Sequence, residues 1–130
     1  MAVIGIGIDA VDVPRMRKAA TGSVRADRLR SRVFTDHERA LCESRPDPAQ
    51  CLAARFAAKE AVMKALGADG IAFAFRDIEV VRAGDGRPSI RLHGRVADKA
   101  RELGVQSVHV SLTHLASVAM ASVVLEDGRA

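Results

Sequence analysis

A helical stretch in mid-chain and one aspartate near the start carry the residue types that a magnesium–polyphosphate site needs. In "CLAARFAAKEAVMKALG", Arg55 and Lys59 stand four residues apart, as do Glu60 and Lys64, so each pair shares a side of a helix. Leu52, Phe56, Met63 and Leu66 line up as the stripe that should meet a core, with Lys59 in its middle and Glu60 at its edge. Magnesium takes one or two carboxylates and leaves its other positions to water and phosphate oxygens. Asp9 and Glu60 supply two carboxylates, and Arg55, Lys59 and Lys64 supply cations for the phosphates. The same spacing fits a plainer arrangement: a surface Glu60–Lys64 pair worth about 0.3–0.5 kcal/mol, with Lys59 snorkelling past its apolar neighbours. Spacing alone leaves both open.

Asp9 must be positioned by its strand, "GIGIDAV". Ile4, Ile6 and Ile8 alternate, which predicts a half-buried strand with the isoleucines turned to the core. Gly5, Gly7 and Asp9 then share the other face. Two glycines on one face of a strand mark a close approach to the backbone. With a carboxylate beside them, the expected visitor is a diphosphate and its hydrated ion.

The other elements follow from caps and breaks. Asp12 is placed to cap a short helix through "VPRMRKAA", with Pro14 in its first turn. "TGSVRADRLRSRVF" is basic and weakly periodic and reads as helix or loop. Thr35 and Glu38 have capping-box spacing, and "SRPDPAQ" breaks the chain before a helix from Gln50 to Leu66 that Gly67 stops. Strands over 77–82 and 88–92 flank a turn at Gly84, Asp85 and Gly86. A short helix closed by Gly104 comes next. In "SVHVSLTH", Val108, Val110 and Leu112 point inward, while His109, Ser111 and Thr113 point outward; His109 is given no role. "SVAMASVVLE" is a more buried last strand. These elements predict one α+β domain over residues 1–130, with helices packed on an antiparallel sheet.

Composition narrows the class. The 130 residues suffice for one core and are too few for two ordinary domains. With 48% hydrophobic and 28% charged residues, a disordered chain is excluded. No apolar run reaches the roughly 18 residues of a membrane span, and no signal peptide is expected at the start. Cys42 and Cys51 read as reduced cytosolic thiols rather than a metal pair. The net charge of +4 favours an anionic partner: nucleic acid, a phosphorylated small molecule or an acidic protein. Aromatics at 3%, without Trp or Tyr, leave few stacking platforms for nucleic acid, and no reader helix is visible.

Four stretches in order, "GIGIDAV", "FTDHE", "RFAAKEAVMKALG" and "VSLTH", resemble holo-acyl-carrier-protein synthase, the small bacterial class of 4′-phosphopantetheinyl transferases. The order and spacing agree over nearly the full length. The resemblance implies the fold of that class and a magnesium-dependent transfer of phosphopantetheine from coenzyme A to a serine of an apo-acyl carrier protein. Adenosine 3′,5′-bisphosphate is the expected second product. Carried over by motif, Asp9 and Glu60 are the expected metal ligands, and Lys64 is expected to stabilise charge on the diphosphate. Arg55 and His114 are expected to line the coenzyme A site. Arg15, with Arg17 and Lys18 beside it, is expected to meet the acidic helix of the carrier protein.

Small members of the class form homotrimers with active sites between subunits, so the same is expected here, in the cytoplasm and without nucleic acid or membrane. Some relatives carry an acidic residue just after the "SLTH" histidine, where this chain has Leu115. If that acid serves the metal or the base, Glu60 or a metal-bound water must replace it, and the base stays open. Glu38 belongs to the family motif, yet a capping box explains it fully. Lys59 divides evenly between a buried structural role and substrate contact. Three rivals remain: a basic nucleic-acid-binding module, a non-catalytic subunit that kept the fold, and a transferase domain cut from a larger synthase. The intact Asp9, Glu60 and Lys64 set argues against the second, and Met1 with complete boundaries favours a free-standing protein over the third.

Overall fold

The computed structural model describes residues 1–67 and 74–128. Strand β1 (Val3–Asp12) runs straight into helix α1 (Val13–Ala20), where Asp12 accepts a bond from the Arg15 backbone N–H. Helix α2 (Val24–Val33) starts at Ser23, whose hydroxyl accepts from Ala26 N at 3.0 Å, so the basic stretch left open by sequence is helical. Helix α3 (Asp36–Glu43) opens with the expected Thr35–Glu38 capping box. Helix α4 (Pro48–Leu66) is capped by Asp47 and ends at Gly67, whose φ of 63° is the left-handed turn that glycine adopts without a Cβ penalty. A single 3-10 turn, Phe75–Asp77, leads to the hairpin of β2 (Ile78–Arg82) and β3 (Pro88–Leu92). Helix α5 (Gly94–Leu103), β4 (Val105–His114) and β5 (Val118–Asp127) complete the chain.

The strands divide into two antiparallel sheets. β5 lies between β1 and β4, and β2–β3 forms a separate ribbon. In the three-stranded sheet Asp9 pairs with Ala121, and Ala121 with Leu112. Helix α4 crosses this sheet, and Ala57, Ala58, Ala61 and Val62 meet Val123 and Leu125 in the main core. A second cluster joins Val13, Met16, Phe34, Leu52 and Ala119.

Three expectations are corrected here. First, the isoleucines of β1 do not all face inward: Ile6 and Ile8 are 71% and 59% exposed, and only Ile4 packs on the core. A register shift between Val3 and Gly5 resets the alternation, so Gly5, Gly7 and Asp9 face α4. The visitor at the glycines is therefore a helix backbone. A Cβ on Gly7 would lie 1.9 Å from the Ala61 carbonyl oxygen, and one on Gly5 would lie 2.1 Å from that of Ala65.

Second, α4 has no single apolar stripe. It is buried on nearly all sides, Phe56 is only half-buried, and Lys59 lies wholly inside rather than snorkelling out. Third, Cys42 and Cys51 are not free thiols but a disulfide. The turn between α3 and α4 brings their Cα atoms to 5.3 Å, within bridging range. Closing so short a loop is worth about 2–3 kcal/mol by chain entropy.

Candidate active site

The close glycine–alanine contact sets α4 directly against β1, and this brings three charged side chains together. Asp9, on the helix-facing side of β1, is mostly buried. Lys64 reaches over from α4, and its Nζ donates to Asp9 Oδ1 and to the Ile8 carbonyl, both at 3.0 Å. Lys64 stays half-exposed, free to meet a ligand. Glu60, one turn earlier on α4, is partly buried. Burial first, and then the negative charge of Asp9, push its carboxyl above the ordinary range, while Lys64 opposes them.

This corner fits a divalent cation. Two carboxylates repel one another beside a half-exposed lysine, and a cation between them would relieve both the repulsion and the cost of ionising Glu60. Among the described residues no cluster of three or more His, Cys, Asp or Glu is arranged to hold a metal. Asp9 and Glu60 are the carboxylates this corner could offer an ion, leaving positions for phosphate and water as magnesium prefers.

A second site lies on the other side of the helix. A cleft of about 420 Å³ is lined by Arg45, Gln50, Arg55, Arg82, Leu112 and His114, among others. Arg55 is 8% exposed; its Nη1 reaches the Cys51 carbonyl at 3.4 Å, and its buried Nε has no hydrogen-bond partner. Burial holds its pKa below the usual value; Glu38 counters this, and Arg82 and Arg45 add like-charge repulsion. A desolvated guanidinium with an idle N–H and two arginine neighbours calls for an anion. His114, exposed at the end of β4, stands in the same wall.

Arg55 and Lys64 are nine residues apart, about half a turn out of phase on the helix. Asp9 and His114 belong to strands at opposite edges of the sheet. Within one chain, then, the structure groups Asp9, Glu60 and Lys64 in one place and Arg55 with His114 in another. Arg45, Arg82 and Gln50 were not legible from sequence, because a cleft wall drawn from the α3–α4 turn, β2 and α4 leaves no periodic signal.

Glu38 and Lys59 belong to neither place. Both are 0% exposed, with Lys59 Nζ 2.7 Å from Glu38 Oε1. Arg15 is exposed on α1, while Arg17 is tied 2.8 Å to Asp47 and holds that carboxyl below the ordinary range. Leu115 is exposed, and its carbonyl accepts from Gln50 Nε2 at 3.0 Å. His109, given no role from sequence, pairs with Glu126 on the outer sheet face.

Residues 5–121 match the family model described as the 4′-phosphopantetheinyl transferase superfamily. The chain belongs to that superfamily. Among superfamily members, it is 49% identical over 126 residues to a holo-[acyl-carrier-protein] synthase of Anaeromyxobacter sp. strain K, covering 95% of this chain and 96% of the relative. It is 52% identical over 127 residues to the enzyme of that name from Frankia alni, covering 98% and 100%. The fold is also that of the superfamily. The Helicobacter pylori holo-[acyl-carrier-protein] synthase, solved in complex with coenzyme A, superposes with a TM-score of 0.79 at 30% identity, covering 93% of this chain and 99% of that one.

Proposed function

We propose that the chain transfers the 4′-phosphopantetheine group of coenzyme A to a serine of an apo-acyl carrier protein. The observation that carries this reading is the meeting of Asp9, Glu60 and Lys64 at one corner, in a chain of this superfamily. The serine oxygen bonds to the phosphorus that bears the pantetheine. The bond from that phosphorus to the bridging oxygen breaks, and adenosine 3′,5′-bisphosphate leaves with the electron pair while the serine proton passes to solvent. Magnesium, when bound, would neutralise the diphosphate and polarise the phosphorus under attack.

The residues of the chain have separate tasks. Asp9 and Glu60 would hold the ion, and Lys64 would turn from Asp9 to the phosphoryl oxygens, where charge grows as the bond breaks. Arg55, short of a partner for its Nε, and His114 would hold the anionic nucleotide end in their cleft.

A homotrimer suits this division. Asp9 and His114 lie on opposite edge strands and Lys64 and Arg55 on opposed sides of α4, an arrangement that lets one pocket use both sets where two copies meet head to tail, the kind of contact that closes into a ring. The exposed Ile6 and Ile8, with Val124 paired to Ile6 and Met120 paired to Ala10, offer an apolar outer face for that contact. The acidic carrier protein would dock by Arg15 on α1, with the exposed Arg25, Arg28 and Arg32 of α2 adding to the field. A reaction that draws on coenzyme A and an acyl carrier protein would run in the cytoplasm. No helix among the described residues is long and apolar enough to cross a membrane.

Intact mass of an apo-carrier protein, after incubation with the chain, coenzyme A and magnesium, tests the reading. One phosphopantetheine should add to the carrier and chelation should abolish the gain. An unchanged carrier mass with all components present would overturn it.

A further inference from the structure

We propose that the buried Glu38–Lys59 pair is a positioning pair for the reaction, pinning α4 so that Glu60 and Lys64 meet Asp9. The inference rests on the transferase reading above. Helix α4 is held from two sides by contacts of very different kinds. Against β1 it offers Ala61 and Ala65 to Gly5 and Gly7, backbone to backbone. Crossing geometry is normally fixed by side-chain ridges seated in grooves. Helix backbone set against glycine offers no side-chain ridge, so this contact allows close approach and does little to fix the roll or the axial setting of the helix.

The opposite contact is directional. Lys59 Nζ donates to Glu38 Oε1 at 2.7 Å, to the Phe75 carbonyl at 3.0 Å and to the Ile78 carbonyl. All three ammonium donors are thereby used. Glu38 Oε1 also accepts from Thr35 N, and its Oε2 from Val80 N, both at 2.9 Å. The Phe34 ring lies 5.6 Å from the ammonium. Three bonds thus join α4 to the start of α3, to the 3-10 turn and to β2, and two more tie Glu38 itself to the α3 cap and to β2.

Stability alone does not account for such a pair. Buried ion pairs are often neutral or unfavourable against apolar residues of the same volume. What the pair supplies is one allowed setting of α4. Glu60 is the next residue after Lys59, and Lys64 is the residue whose ammonium reaches β1. A misplacement of about 1 Å at a reacting centre can cost about 100-fold in rate.

The test replaces both partners, Glu38→Gln with Lys59→Met, so that no charge is left buried alone. Manganese binding read by electron paramagnetic resonance is measured beside transfer kinetics, in protein shown to be folded by its melting transition. We expect kcat to fall about 10–100-fold and manganese affinity to weaken about 10-fold. KM for coenzyme A should rise by less than kcat falls: Arg55 also rides on α4 and loses the Glu38 charge that offsets its burial, but it makes no contact with the pair's hydrogen bonds and His114 stays on β4. Should the double variant fail to fold, Glu38→Asp decides; it keeps the charge pair and draws the carboxylate back by one methylene. Several-fold losses in kcat and manganese affinity are then expected with little change in KM. A folded variant with wild-type kcat and manganese affinity, or with losses that match only its unfolded fraction, would make the pair purely structural. Absence of transfer by the wild type would instead strike the transferase reading, which separates the two failures.

Discussion

The two flanks of α4 carry opposite electrostatic needs. On the β1 side, burial and then the Asp9 charge raise the pKa of Glu60, and a cation would relieve the corner. On the β4 side, Arg55 is buried with an idle N–H beside Arg45 and Arg82, and the cleft is relieved by an anion. A nucleotide diphosphate with its divalent ion satisfies both needs at once. Arg55 and Lys64 leave α4 about half a turn out of phase, and the middle of that helix is packed in a core. On the proposed reading, the contrast teaches that one chain would carry two half-sites, each complete in chemistry and incomplete in ligand.

Removing a carboxylate should break the first flank most severely. Asp9→Ala or Glu60→Ala should lower turnover by about 100-fold or more, in transfer assays at saturating magnesium. The melting transition should barely move, since neither group is a core anchor. Wild-type rates in either variant would remove that residue from the metal site.

The contact that builds this flank is the next target. Gly7→Ala drives a methyl into the Ala61 carbonyl, so α4 must lift from β1 between Glu60 and Lys64. Unfolding should become about 1–3 kcal/mol easier, with a loss of turnover beyond the loss of folded protein. A Cβ at Gly84 meets nothing within 4 Å, so Gly84→Ala is the silent control. Equal behaviour of the two would mean that the β1–α4 fit does not matter to the site.

Kinetics should then distinguish the flanks. Lys64→Ala should lower kcat more than it raises KM for coenzyme A, and Lys64→Arg should rescue little, because a planar fork does not replace a compact ammonium. Arg55→Ala should do the reverse, raising KM about 10–100-fold as expected for a charged hydrogen bond to a phosphate. If both variants changed the same constant, the division of labour between flanks would fail.

The smallest effect is expected at the docking surface. Arg15→Glu should raise KM for the carrier protein several-fold and leave that for coenzyme A unchanged. The variant should also lose part of the wild type's sensitivity to ionic strength, because steering acts over about 8–30 Å between 0.15 M and 0.01 M salt. An unchanged carrier KM would move the docking surface elsewhere.

Much of this was legible in the sequence, for reasons that differ by residue. Caps at Asp12 and Thr35 and the stop at Gly67 act within a few residues, so those boundaries could be read locally, whereas the Asp47 cap was passed over and α4 starts at Pro48 rather than Gln50. The "FAAKEAVMKA" motif carried Glu60 and Lys64. The direction in which Ile6 and Ile8 point was misread because a register shift at Val3–Gly5 is set by pairing with β5, 120 residues away in the chain. Helical periodicity cannot mark a helix buried on nearly every side, so the position of Lys59 was ambiguous until Glu38 was seen against it. The Cys42–Cys51 bond and the arginine cleft likewise come from tertiary approach, which leaves no trace in spacing.

Mixing defective subunits tests most directly whether the two flanks meet between copies. Asp9→Ala and Arg55→Ala chains are each assayed alone, at coenzyme A well below the raised KM, and then after being dissociated and reassembled together. Native mass spectrometry confirms that mixed assemblies have formed. Each parent should stay near background. The mixture should recover about a quarter of wild-type activity, since random assembly places an intact Asp9 flank against an intact Arg55 flank in that share of head-to-tail contacts. Mixed assemblies that remain at background would show that both flanks serve a site within one chain, and the two-half-site account would be wrong.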